Sequence, residues 1–443
     1  MKKRARRCSG IDVHKEKVMV CVLPPKGAEG TRIDREFSTY TADLVQLRVW
    51  LQRLGVTDVA MESTGVYWRP VWNILEGYFR LLLANPAQVK ALLGRKSDRR
   101  DARRLAEFLE DGRLDPSFVP PREIRTLRQL TRDRVGLVEE QTRLHNQIRD
   151  LLETANIKLG NVASDILGET GRRILVALAS GQRDAERLSW KGLGKLRKKE
   201  GLLRKACTGR FTDDDEFRLK ELLTRFEFGE QRIGVLEAEI RKKVEPYQRQ
   251  VELLDGIPGV NEVVAWTLIA ELGADMTVFP TPAHCSSWAG LCPGENESAG
   301  KKKSTRTRKG NRYVRRALVQ AGWAASREKG TYFKGVFRRL VGRRGMAKAV
   351  VAVAHKLLQV AYVILRDLVP YRELGEHHCD ARQKAQLVAR LRERLEALGQ
   401  VVTLAPAVVE VVAGVAAGGA GGVPACPQVK RKRGRPPKRR QGE

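Results

Sequence analysis

The sequence predicts an α/β domain over residues 1–115, a helical section over 116–250, a mainly α-helical unit over 251–372, and an amphipathic helix, linker and disordered basic tail over 373–443. Three observations carry this. Between Cys8 and Arg113 short β-like runs alternate with helical ones; two long segments repeat apolar residues every three and four positions; and 42% of the residues are hydrophobic despite a net charge of +31. The first two give the order of elements. The third says that a basic chain still has material for cores, and that its partner is a polyanion.

In the first part, Val18 to Leu23, Arg32 to Phe37, Asp58 to Met61 and Arg80 to Ala84 read as strands, with helices near Asp43 to Leu54, Arg69 to Gly77 and Asp98 to Glu110. The first three strands have short connections and read as a meander. In the helical section, Leu127, Leu130, Arg134, Leu137, Gln141, Leu144, Ile148 and Leu151 form one seam, and Leu219, Leu222, Phe226, Gly229, Ile233, Leu236 and Ile240 another. Two core helices of one bundle and a dimerising coiled coil both fit them. Residues 155–215 look helical and charged without a decisive pattern. After the third unit, a helix from Ala381 to Leu398 carries Leu387, Leu391, Leu395 and Leu398 on one stripe.

No membrane span is expected: the stretch from Gly399 to Val429 is nearly free of charge, but Pro406, Glu410 and its glycines suit a flexible linker. No apolar signal segment follows the basic start, because Asp12, His14, Lys15 and Glu16 come too soon. The seven cysteines lack paired Cys-x-x-Cys spacing, which fits a reducing cytoplasm and offers no zinc framework.

Four acids stand out. Asp12 lies in Gly-Ile-Asp-Val, Glu62 ends the run Val59-Ala60-Met61, and Asp98 and Asp101 share a helix face at i and i+3. Carboxylates on strand ends and a helix suit hard cations, and phosphodiester chemistry often uses Mg²⁺. The acids in Arg95-Lys96-Ser97-Asp98-Arg99-Arg100-Asp101 also fit simple pairing with arginines at a helix start.

Around Ile257-Pro258-Gly259-Val260 the pattern resembles a helix-hairpin-helix, whose turn aims backbone N–H groups at a phosphate; an ordinary helix–helix turn also fits. Ser298 is a candidate nucleophile. It precedes nine basic residues without an acid: Lys301, Lys302, Lys303, Arg306, Arg308, Lys309, Arg312, Arg315 and Arg316. Such a run neutralises phosphates and lowers the cost of charge developing at a phosphoryl group. No sequence-adjacent His supplies a base, and a solvated loop fits the same residues. In the tail, Arg433-Gly434-Arg435-Pro436 within Lys430 to Arg440 looks like an AT-hook for a narrow minor groove, or a phosphate or RNA tether.

As an ordered set, Gly-Ile-Asp-Val-His-Lys from Gly10, Met-Glu-Ser-Thr-Gly-Val-Tyr from Met61, Lys-Ser-Asp-Arg-Arg-Asp-Ala from Lys96, Ile-Pro-Gly-Val from Ile257, and Ser-Ala-Gly-Lys through Lys-Gly-Asn-Arg-Tyr-Val-Arg from Ser298 resemble the DEDD transposases of insertion sequences, the bridge-RNA-guided serine recombinases. The resemblance spans about residues 8–372. It implies an RNase H-like domain, similar to Holliday-junction resolvases, in which Asp12, Glu62, Asp98 and Asp101 bind Mg²⁺. It further implies a transposase domain in which Ser298 becomes linked to DNA, a coiled coil joining the two, and composite sites between protomers of a dimer or tetramer. Its implied partners are element-end and target double-stranded DNA and a structured noncoding guide RNA, at the nucleoid. The family's usual Ser-Gly-Gly is Ser298-Ala299-Gly300 here, and the tail lies outside the match. Two other functions remain in view: a metal-dependent junction nuclease without a covalent intermediate, and a non-catalytic DNA-architectural protein.

Overall fold

The computed structural model describes residues 7–25, 30–63, 65–84, 98–294, 296–298, 301–304, 307, 309–378 and 384–403. Met1–Arg382 forms one compact unit and Gln383–Glu443 a second. The linker beyond Thr403, the AT-hook-like tail, Arg306 and Arg308 lie outside the described residues.

The N-terminal part is a mixed five-stranded sheet. Strands β1 (Cys8–Val13), β2 (Lys17–Val22) and β3 (Ile33–Ser38) run antiparallel in sequence order, and β4 (Asp58–Glu62) and β5 (Arg80–Ala84) add parallel on the other side of β1, giving the order β3-β2-β1-β4-β5. The expected meander is therefore corrected. Its third member, Asp58 to Met61, is reached through helix α1 (Thr41–Arg53) and pairs with β1, a strand not expected from the sequence. Every residue of β1 is buried, and with Ser, Gly and Asp among six positions it shows neither alternation nor an apolar run.

Helix α1 and helix α2 (Trp68–Leu75) cover one face, where Leu44, Leu47, Leu51, Val71 and Leu75 meet Ile11, Val18, Val20, Val59 and Met61. Helix α3 (Asp98–Glu110) covers the other, with Ala102 and Ala106 against Met19 and Cys21, and Leu105 against Ala60 and Ala84. It comes so close that a Cβ on Gly10 would lie 2.1 Å from the Ala102 carbonyl oxygen and 2.5 Å from the Ala106 nitrogen. Gly10→Val is expected to cost roughly 1–3 kcal/mol by overpacking against rigid backbone. Gly136→Ala, where a Cβ meets nothing within 4 Å, should be neutral or better. Urea unfolding midpoints of the two variants check this; equal midpoints would mean that the α3 contact is not tight.

The predicted seams lie on helices α4 (Arg122–Thr154) and α9 (Asp213–Val244), which pack antiparallel on each other. Their polar positions are answered within the chain: Arg134 Nε donates to Glu237 Oε1 at 2.8 Å and Gln141 Nε2 to the Phe226 carbonyl at 2.7 Å. A Cβ on Gly229 would lie 2.1 Å from Gln141 Nε2, so a larger residue there would make the Gln141 amide give up its place. Leu223, one residue from the expected Leu222, is the buried one. Of the two readings of the seams, pairing within one chain is the one observed.

The pair belongs to two cores. At one end Leu144, Ile148, Leu151, Leu219 and Phe226 pack with short helices α5 (Leu159–Val162), α6 (Glu169–Leu178), α7 (Ala185–Ser189) and α8 (Glu200–Cys207). At the other end Ile124, Leu127, Ile240 and Val244 enter the core of the third part. That part contains α10 (Gln248–Asp255), α11 (Glu262–Leu272), α12 (Pro282–Trp288), a hairpin of β6 (Asn296–Ser298) and β7 (Lys301–Ser304), and α13 (Arg312–Arg327), α14 (Tyr332–Arg344) and α15 (Met346–Asp367). Helix α15 is long and apolar enough to cross a membrane, yet Val353, Ala354, Leu357, Leu358 and Ala361 are buried in this core.

In the second unit, α16 (Lys384–Glu396) falls within the predicted helix. Leu391, Leu395 and Leu398 of its expected stripe are exposed.

Candidate catalytic acids and serine hairpin

Parallel pairing matches Gly10 with Ala60 and Ile11 with Met61, so the next residues, Asp12 and Glu62, stand side by side at the carboxyl ends of β1 and β4. Side chains two residues apart share a face. Gly10 and Ala60 lie under α3, which puts Asp12 and Glu62 on the α3 side. Asp101 directly precedes Ala102, the residue seated on Gly10, and is half-buried. Asp98 opens the same helix three residues earlier; its side chain lies outside those described. The two strand acids and the start of α3, which carries Asp98 and Asp101, thus lie toward the carboxyl ends of β1 and β4.

The Asp12 carboxylate is largely buried, and His14 Nε2 lies 3.1 Å from its Oδ2. His14 was not among the expected site residues, although its Asp-x-His spacing along an extended chain returns it to the same side. Among the described residues no three His, Cys, Asp or Glu side chains come close enough to hold a metal ion. The donor chemistry still fits a hard cation: carboxylate oxygens only, carried on packed strands and a helix.

Ser298 ends β6, with Lys301 as its partner across the hairpin. The side chains of Ser298, Lys301, Lys302 and Lys303 lie outside those described. The base of the hairpin is well held. Pro293 bridges to Thr307, whose Oγ1 accepts from Arg315 Nη1 at 2.7 Å, and a Cβ on Gly310 would lie 2.3 Å from the Gly290 nitrogen. Arg316 pairs with Glu139 of α4, with Arg312 3.8 Å from the same carboxylate. Arg315 and Arg316, expected to meet nucleic acid, are therefore partly engaged inside the chain, while Lys309 is exposed.

Helix α13 begins at Asn311, whose Oδ1 accepts from the Tyr313 and Val314 nitrogens at 3.0 and 3.1 Å. Its Nδ2 donates at 2.6 Å to Glu271 Oε2. Glu271 on α11 has no solvent exposure; Arg132 of α4 holds it through two bonds of 2.7 and 2.9 Å, and Arg128 Nε lies 3.3 Å away. The sequence reading missed this network, because Arg132 and Glu271 are 139 residues apart and an acid in the apolar run Val263 to Leu272 carries no sign of its partner.

A tight turn joins α10 and α11 at Ile257-Pro258-Gly259-Val260, as both the hairpin reading and the ordinary helix–helix turn require. Gly259 has φ of +80°, and its Cβ would meet the Ala321 oxygen and Ala325 nitrogen of α13 at 2.5 Å. The glycine is thus required by the chain's own helix. Pro258 beside it is half-buried.

These features fall within two matched stretches. Residues 9–157 match a family of DEDD transposases of the IS110 type, and residues 251–337 match a family described as transposase IS116/IS110/IS902. Both matched families are transposases of the IS110/IS116 kind. The chain is 27% identical over 297 residues to the transposase for insertion sequence element IS1111A of Coxiella burnetii, covering 66% of the chain and 72% of the relative. It is 26% identical over 337 residues to a probable family 20 transposase of Pseudomonas aeruginosa, covering 74% and 89%. With an insertion element IS110 protein of Streptomyces coelicolor the likeness is 32% over 136 residues, 30% of the chain and 32% of the relative.

Proposed function

We propose that this chain is a transposase that moves its insertion sequence as an RNA-guided recombinase, cutting and joining DNA through an ester between Ser298 and a strand phosphate. The observation that carries the reading is the register that sets Asp12 beside Glu62 under the helix bearing Asp98 and Asp101. On this reading residues 1–115 are an RNase H-like domain, 116–250 the coiled-coil connection and 251–372 the serine-bearing domain. The four acids would hold Mg²⁺, which supplies charge stabilisation at phosphate oxygens.

The chain's own residues do the rest. The Ser298 hydroxyl oxygen bonds to phosphorus as the bond to one strand oxygen breaks, and the serine proton ends on that oxygen, released as a free hydroxyl. A hydroxyl of the partner strand reverses the step, so phosphodiester energy is conserved. Lys301, Lys302, Lys303 and Lys309 hold the phosphate, and the basic tail adds affinity for DNA. Guide RNA selects both DNA partners, and protomers share sites in a dimer or tetramer.

A denaturing gel of labelled element-end DNA tests the reading. Wild-type protein with guide RNA and Mg²⁺ should give a protein–DNA adduct. Ser298→Ala should bind both nucleic acids and trap none, whereas Ser304→Ala should retain it. Hydrolysis by the wild type without any adduct would favour a junction nuclease instead, and an adduct in Ser298→Ala would move the nucleophile elsewhere.

A further inference from the structure

A cavity of about 400 Å³ opens between α2 and the first turns of α4. Among the described residues its wall contains Arg69, Arg122, Arg125, Arg128 and Arg132 and no carboxylate, with the Trp68 and Phe118 rings beside them. Two acids reach these arginines from outside the wall: Glu76 binds Arg125 at 2.6 and 2.8 Å, and Glu271 binds Arg132 and Arg128. Five positive charges against two negative ones leave the cavity about three charges in excess.

That excess is felt at Arg128. Burial pushes the Arg128 guanidinium down to about 10; Glu271 opposes the shift, and the charges of Arg132, Arg69 and Arg125 add to it. An anion in the cavity would relieve the repulsion. The volume lies in the ordinary range for small-ligand clefts, and aromatic faces beside cationic walls are how single strands are held. A duplex presents a convex backbone that does not enter such a recess.

From these features we infer that the cavity receives one nucleotide of a single nucleic-acid strand, its phosphate among the arginines and its base against Trp68. The inference rests on the proposed nucleic-acid chemistry but adds a site remote in sequence from Ser298 and the nine basic residues around it. Arg69 and Arg122 are the exposed arginines of the wall, and are the ones placed to close on the phosphate.

The test measures binding of single-stranded DNA, single-stranded RNA and duplex DNA by the full chain across a salt series. Losing the neutralisation of that one phosphate should lower the slope of log K against log salt by roughly 0.7 for a single strand. Arg69→Ala/Arg122→Ala is expected to show that loss on single-stranded DNA or RNA, the affected polymer identifying the strand, and little change on duplex. Arg343→Ala/Arg344→Ala, removing two exposed arginines elsewhere, should leave single-strand binding within about twofold. Unchanged slopes in the cavity variant, or an equal loss in the control, would overturn the site. The serine adduct is read separately on the gel, so a missing adduct with a lost slope rejects the recombinase chemistry and keeps the cavity.

Discussion

An Asp12→Asn chain is expected to fold and bind nucleic acid as the wild type does while its strand-exchange product falls by about 10³-fold or more, the scale of losing a principal charge stabiliser at a phosphoryl group. The exchange is nearly isosteric and removes one negative charge from a side chain only 12% exposed. It also weakens the His14 contact. Asp101→Asn should behave alike, since Asp101 approaches the same strand ends from α3. Asp58→Asn is the informative control. That acid is also buried on β4, but at its other end, where it pairs with Arg80 at 2.7 Å. It should lose some stability and keep activity. Quantified recombination on element-end DNA with guide RNA and Mg²⁺ gives the comparison; normal products from Asp12→Asn and Asp101→Asn together would remove the acids from the chemistry.

The second large effect is on stability. Glu271→Ala should cost about 3 kcal/mol, the low end for breaking a buried pair, because the fully buried acid is lost and Arg128 and Arg132, partly exposed in the cavity wall, lose their counter-charge. The same change removes the acceptor that Asn311 uses at the start of α13, just after the serine hairpin. Differential denaturation of wild type and variant measures the loss, and Glu271→Gln, which keeps an acceptor for Asn311, separates it into charge and hydrogen bonding. A Glu271→Ala protein as stable as the wild type would show that the network is dispensable.

Helices with long apolar periods were legible in the sequence: Asp98 to Glu110 is matched residue for residue, and the α4 and α9 seams were found with their polar positions. Strand β1 was not, because a strand covered on both faces and crossed by a helix over Gly10 obeys neither alternation nor propensity. Helices α5 to α8 were too short for a 3.6-residue period to register. The acids were legible as residues, but their meeting depends on β1–β4 pairing between positions 50 apart in sequence. The arginine cavity had a signal that went unread. Arg122, Arg125, Arg128 and Arg132 step by three and four along α4, a basic stripe beside the apolar seam.

The α4–α9 pair also has a topological consequence. The chain leaves α4 and returns to α9 at one place: the Arg210 nitrogen donates to the Ala155 carbonyl at 2.9 Å, and the Lys158 nitrogen to the Ala206 carbonyl at 2.8 Å. A Cβ on Gly209 would lie 2.4 Å from that same Ala155 oxygen. Residues 156–209 are therefore a closed excursion that shares one apolar core with the adjoining ends of α4 and α9, inserted at the tip of what is otherwise a helical hairpin. Closing a flexible loop costs entropy that grows only with the logarithm of its length. The hydrogen bonds that tie the ends of this excursion offset that cost at the tip and set the two long helices side by side as the arms of one hairpin.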